Sequence, residues 1–226
     1  MSILITGFEP NDDGLNASKI LIESMREDLP ECIAGMRDIL HFEVLAANTS
    51  TLNESLFQAI ATHEPCYCLF TGQAPGRNKI TLERLATNLK DFGSPDCVGL
   101  QPHGEMIEKA GPAAYWSNLP GQEFLIARLN ENGIPAALSN NGGNHLCNQI
   151  LYHALHYAYV TNENLLCGFM HIPPLPIQAK HQWLGTPFIP LSMAREGLSL
   201  VLLDLTAKLN LSASNKNSRD NTAALG

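Results

Sequence analysis

Three residues of this sequence have the types needed for nucleophilic hydrolysis: Cys147, His171 and Glu83. A thiolate attacks a carbonyl carbon, a base within hydrogen-bond reach takes its proton, and a third group orients the base. Cys147 follows SNNGGNHL, where Gly142 and Gly143 permit a sharp turn before an apolar-periodic run. That spacing predicts Cys147 in the first turn of a helix. Free backbone N–H groups and the helix dipole there favour a thiolate and can hold an oxyanion. The same position also suits a buried structural thiol. His171 ends the apolar run LLCGFMH, stopped by Pro173 and Pro174. In open α/β sheets, ligand sites lie beyond the carboxyl ends of strands. His171 is therefore the best placed of the eight histidines, and Cys147 shares its edge if the two strands run parallel. His153 and His156, on the helix after Cys147, suit surface or partly buried roles. Glu83, in KITLERLATN, can orient an imidazole; taken alone it also reads as a surface charge.

The elements that must position these groups follow from hydrophobic period and turn chemistry. Apolar runs predict strands at Ile3–Thr6, His41–Ala47, Cys66–Thr71, Ala136–Ser139 and Leu165–His171. Helices are predicted from a Ser18 cap to about Asp28, over Gln122–Asn132 with Gly133 as terminator, over Leu146–Tyr159, and from Ser192 onward. A helix with Leu52, Leu56, Ala59 and Ile60 on one face is predicted to start at a Thr51/Glu54 capping box. The last helix turns Leu198, Val201, Leu202, Leu205 and Leu209 inward. GQAPGR (residues 72–77) reads as a turn, and Asp91–Tyr115, rich in Gly, Pro and charge, as a long loop. Strands alternating with helices imply a three-layer α/β/α sandwich on a twisted sheet that is mostly parallel or mixed. One domain over residues 1–211 is expected, with a polar, disordered tail at 212–226.

Composition narrows the class. A chain of 226 residues, 45% hydrophobic and 16% charged, can bury a substantial core. The formal charge of −8, with no dense Lys/Arg run, argues against nucleic acid and anionic membrane as partners. No stretch approaches the roughly 18 apolar residues of a membrane span. MSILITGFEP lacks the basic and apolar regions of a signal peptide, so a soluble cytoplasmic protein is expected. In that setting the six cysteines are expected to be reduced thiols.

Read together, TGFEP near residue 6, GQAPGR with Glu83 shortly after, AGPAAYWSNLP, SNNGGNHLCN and GFMHIPPLP resemble the pyrrolidone carboxyl peptidase (pyroglutamyl peptidase I) family over roughly residues 1–195. The resemblance implies removal of an amino-terminal pyroglutamyl group from blocked peptides, without cofactor or metal. It implies Cys147, His171 and Glu83 as the triad, and a dimer or tetramer. It also implies a lactam pocket built from Phe8, Asn16 and the turn Gly72, Gln73, Ala74. The chain departs from the family pattern near that pocket. Asn11-Asp12-Asp13 stands where Phe-Gly-Gly is usual, Gly93 where an Arg is usual, and His145 and Pro174 where aromatics are usual. These changes spare the triad and imply an altered acyl preference, with Asp12 and Asp13 favouring a cationic substrate. A binding protein that kept the fold but lost turnover is one competing reading. A nucleoside phosphorylase on a related sandwich is another, though no Gly-rich phosphate loop is evident.

Overall fold

The computed structural model describes residues 2–11, 14–161, 164–181 and 184–223; for His181 and residues 209–223 the description covers the backbone alone. Its elements in chain order are β1 (Ile3–Phe8), α1 (Ala17–Glu27), a 3-10 segment (Glu31–Ile39), β2 (Leu40–Leu45), α2 (Leu52–His63), β3 (Tyr67–Gln73), β4 (Ile80–Glu83), β5 (Leu85–Thr87), β6 (Ala114–Trp116), α3 (Gln122–Glu131), β7 (Ala136–Ser139), α4 (Leu146–Thr161), β8 (Leu166–Ile172), α5 (Pro176–His181) and α6 (Leu191–Ala223). Six strands form one sheet in the order β2-β1-β3-β8-β4-β7, and β5 pairs with β6 beside it.

Strand alternation sorts the core into two layers. Ile3, Ile5, Tyr67, Leu69, Ile80, Leu82, Met170 and Ile172 face α1, α3 and α6. Leu4, Cys68, Phe70, Cys167 and Phe169 face the other way, toward α2 and α4. The result is the expected α/β/α sandwich. By the same alternation Gly72, Thr81, Glu83 and His171 belong to the α4 face. The candidate site residues on the sheet therefore share one face.

Local expectations were met unevenly. Gly133, at φ 75°, ends α3 as its sequence position predicts. The cap of α1 is Asn16 rather than Ser18: Asn16 Oδ1 accepts the Ser18 N–H at 2.9 Å. The Ser18 hydroxyl instead donates to Asn16 Oδ1 at 2.7 Å and accepts the Phe8 N–H at 3.1 Å. Thr51 starts α2 with helical backbone angles and no side-chain cap bond, so the predicted capping box does not form. A helical ψ points the Thr51 hydroxyl away from the donors an extended cap residue would reach. The helix that opens near Ser192 runs on to Ala223, through the segment read as a tail. No Gly or Pro falls between Leu198 and Leu225 to stop it. Leu198, Val201, Leu202 and Leu205 are buried as expected, and the side chain of Leu209 lies outside the described residues. All six cysteines are free thiols. Among the described residues no helix is long and apolar enough to cross a membrane.

The condition under which Cys147 would share the His171 edge directly is not met. β7 and β8 do not run parallel. β4 pairs antiparallel with β8 and parallel with β7, so β4 and β7 both oppose the other four strands. The loop after β7 must therefore fold back to bring α4 to the His171 edge.

Candidate active site

β4 brings the acid to the base. Thr81 lies directly across from His171, and Glu83 across from Phe169, in the β4–β8 ladder. Glu83 and His171 are thus diagonal neighbours on one face, a spacing that long side chains can bridge. His171 Nδ1 lies 2.8 Å from Glu83 Oε1. A carboxylate only accepts, so Nδ1 carries the proton and Nε2 keeps the free lone pair. The same Oε1 accepts from Thr81 Oγ1 at 3.1 Å and from Arg77 Nη1 at 2.5 Å, while Oε2 is buried with no hydrogen-bond partner among the described residues. Glu83 is 1% exposed and His171 4% exposed. Glu83 is a buried member of a pair, not a surface charge.

Gly72 brings the thiol to the base. On β3, Gly72 stands across from His171 in the parallel β3–β8 ladder. A Cβ built on Gly72 would fall 2.9 Å from Cys147 Sγ and 2.7 Å from Phe169 Cζ. The absent side chain is the space in which the thiol lies, beside the strand neighbour of the imidazole. Cys147 itself enters in the first turn of α4, as its sequence predicts. The amides of Leu146 and Cys147 precede Gln149 N→His145 O (3.1 Å) and have no helical acceptor to bind.

Electrostatics departs from the expectation of a standing thiolate. Burial, reinforced by the Glu83 charge, pushes the Cys147 thiol up to about 12, against the smaller opposing effects of Arg77 and the local backbone. Burial also lowers His171 below its ordinary value, more than the Glu83 hydrogen bond and charge raise it. Burial works against ionised Glu83 too, yet the His171 bond and charge, with help from Ser139 and, least, from Arg77, hold that carboxyl down at about 2. The resting site is a thiol, a neutral imidazole and a carboxylate. The helix N-terminus alone does not overcome desolvation of the sulfur.

The remaining expected pocket residues gather at the same edge, several of them committed to holding the walls. Asn16 caps α1, and its Nδ2 donates to Glu9 O at 3.4 Å. Gln73 Oε1 accepts from Ala17 N at 2.9 Å and from Gln178 Nε2 at 2.8 Å. Fully buried Gln178 also donates to Leu15 O at 2.8 Å, so one amide joins the segments after β1, β3 and β8. Ala74 N donates to Ile172 O at 2.8 Å. Phe8, 4% exposed, packs in the cluster against which Cys147 rests.

The departures from the family pattern have distinct places. His145 stacks on Phe92 with ring centroids 3.9 Å apart and bonds Ser94 O at 3.1 Å, so a flat ring is kept where an aromatic is usual. A Cβ on Gly93 would meet nothing within 4 Å, so the backbone does not require glycine there. Asn11 reaches Pro95 O at 3.4 Å. Pro174 is buried, and its carbonyl accepts from Ile189 N at 2.9 Å. Asp12 and Asp13 lie outside the described residues. Sequence reading missed Arg77, Thr81, Phe92 and Gln178. Arg77 stood in the quoted word GQAPGR, and alternation with Glu83 signals Thr81; the other two carry no local signal.

A mixed α/β sandwich with a thiol, an imidazole and a carboxylate gathered on one face defines the class: an α/β hydrolytic enzyme of the cysteine peptidase kind. The chain belongs to the pyroglutamyl peptidase family, whose model matches residues 1–206. Among relatives, the pyrrolidone-carboxylate peptidase of Vibrio vulnificus (strain CMCP6) is 36% identical over 203 residues, 89% of this chain and 91% of that protein. The corresponding peptidase of Levilactobacillus brevis is 37% identical over 202 residues, 89% of this chain and 96% of that protein. A mutant pyrrolidone carboxyl peptidase from Pyrococcus furiosus superposes with a TM-score of 0.83 at 28% identity, covering 92% of this chain and 100% of that one. Pyroglutamyl peptidase I from Bacillus amyloliquefaciens gives 0.79 at 30% identity, covering 88% and 94%.

Proposed function

We propose that this chain removes amino-terminal pyroglutamyl groups from peptides, with Cys147 as nucleophile, His171 as acid and base, and Glu83 orienting His171. The observation that carries the assignment is the 2.8 Å His171–Glu83 bond on the strand that faces Gly72, the residue Cys147 Sγ packs against. Substrate binding displaces water and presents the acyl carbonyl to the sulfur. Cys147 passes its proton to His171 Nε2 as the sulfur attacks, because the free thiol at about 12 is protonated at neutral pH. The amides at the start of α4, which have no helical acceptor, stabilise the oxyanion. His171 then protonates the leaving amine and activates water against the thioester. Phe8, Asn16, Ala74 and the residues Gly72 and Gln73, which prove to end strand β3 rather than to form a turn, make the lactam pocket. Residues 1–211 act as one peptidase domain, working in the cytoplasm as a dimer or tetramer, a reading that the family resemblance supports.

Release of fluorophore from a pyroglutamyl amide, measured beside Cys147→Ala, tests the assignment. Cys147-dependent release is expected. Equal release by both proteins overturns the nucleophile. A panel of differently blocked amides tests whether the changes at Asn11, Gly93 and His145 have moved acyl preference; pyroglutamyl substrates outrunning all others would exclude it.

A further inference from the structure

Arg77 takes no part in the reaction as described, yet it touches both halves of the machinery. Its side chain, 26% exposed, leaves the loop between β3 and β4. Nη1 donates to Glu83 Oε1 at 2.5 Å and also bonds the Thr81 hydroxyl. Nη2 donates to Asn141 O at 2.7 Å. Asn141 lies in the turn that leads from β7 into α4 and hence to Cys147. We propose that Arg77 is a positioning residue for hydrolysis at this site: it keeps Glu83 ionised behind a neutral His171 and ties that carboxylate to the turn that launches Cys147.

The proposal rests on the roles given above to Cys147, His171 and Glu83. A buried carboxylate bonded to an imidazole draws a proton onto that imidazole, because two opposite charges suit a low-dielectric site better than one. A protonated His171 cannot take the proton of Cys147. The guanidinium supplies the compensating charge at the same Glu83 oxygen that meets the imidazole, so the imidazole need not. The groups that face His171 are few. Among the described residues, the charged groups that act on His171 are Glu83 from β4 and Arg77 from the loop before it, while Thr81 on β4 and Gly72 on β3 stand uncharged across from it. Arg77 acts in the stated direction on both partners, lowering His171 and Cys147. The planar fork matters as much as the charge. One nitrogen serves the carboxylate and the other the Asn141 carbonyl, which a single ammonium cannot do in the same geometry.

Arg77→Met and Arg77→Lys test this in the full chain. Titration of His171 by NMR, in a Cys147→Ser background, needs no turnover. The Met variant should raise the His171 pKa. In the active background, the acid limb of kcat/KM should move up equally, with kcat down about tenfold and KM little changed. The Lys variant should restore the acid limb but not all of kcat. An unmoved His171 titration in the Met variant overturns the proposal. So does a loss expressed wholly in KM, which would make Arg77 a substrate contact. If the wild type proves inactive on pyroglutamyl amides, the substrate reading fails, and the His171 titration still decides the role of Arg77.

Discussion

Replacing Glu83 by Gln removes one charge from a side chain that is 1% exposed and accepts from His171, Thr81 and Arg77 through a single oxygen. The carboxyl is held at about 2, against an ordinary value of 4.5. A folded-state pKa below the unfolded one contributes stability that is present above 4.5 and lost as pH falls through 2. The gap corresponds to about 3 kcal/mol at pH 7, of which about 2 kcal/mol is gone by pH 3. His171, also lowered, adds a loss in the same direction as pH falls below 6.5. The amide of Gln has one acceptor oxygen for three donors, and its own N–H₂ repels Arg77. Urea denaturation of wild type and Glu83→Gln at pH 7, 5, 4 and 3 measures the effect. The stability difference should be largest at pH 7 and shrink steadily below pH 5. kcat/KM should fall by about 100-fold or more, since the imidazole loses its tautomer and orientation. A stability difference that does not change with pH would refute the reasoning, because the Glu83 charge would then contribute nothing to the folded state.

Three further outcomes are expected. Gly72→Ala drives a methyl against Phe169 and Cys147 Sγ, so it should cost about 1–3 kcal/mol in thermal or urea melts. It should lower activity far beyond that share, and a fully active variant would show that the sulfur does not work from this seam. Alkylation of Cys147 by iodoacetamide in the free protein should accelerate with pH well past 9, because burial keeps the thiol protonated. A rate already level at pH 7 would show a standing thiolate. Gln178→Leu removes the amide that joins Leu15, Gln73 and the chain after β8, and should raise KM for pyroglutamyl amides about tenfold with Cys147 alkylation unchanged; slowed alkylation would place its effect on the nucleophile instead.

Much of the fold was legible because its signals are local. Burial along all of Ile3–Phe8 and nearly all of Leu166–Ile172 follows from their apolar runs, and Gly133 marks a helix end through its own backbone freedom. Failures arose where two local readings competed. Ser18 and Asn16 are both residue types that cap, and in the fold Ser18 Oγ is taken by Phe8 N and by Asn16 Oδ1 while Asn16 accepts the Ser18 N–H. Thr51 and Glu54 spell a capping box, but Thr51 is already helical. β4 was not recognised as a strand, since ITLE offers too little pattern beside the charged RLATNLKD that follows.

The sequence by itself singled out Cys147, His171 and Glu83 as the candidates for the chemistry. It placed Cys147 at a helix start and His171 at a strand end, through glycines and prolines a few positions away. Tertiary structure decided how they meet. β4 enters the sheet antiparallel to β8, which lets Glu83 reach a histidine 88 positions distant. Gly72, on a third strand, leaves the gap that the sulfur occupies. Strand pairing and desolvation depend on partners far along the chain, so neither the acid–base geometry nor the protonated state of Cys147 is written in any local stretch.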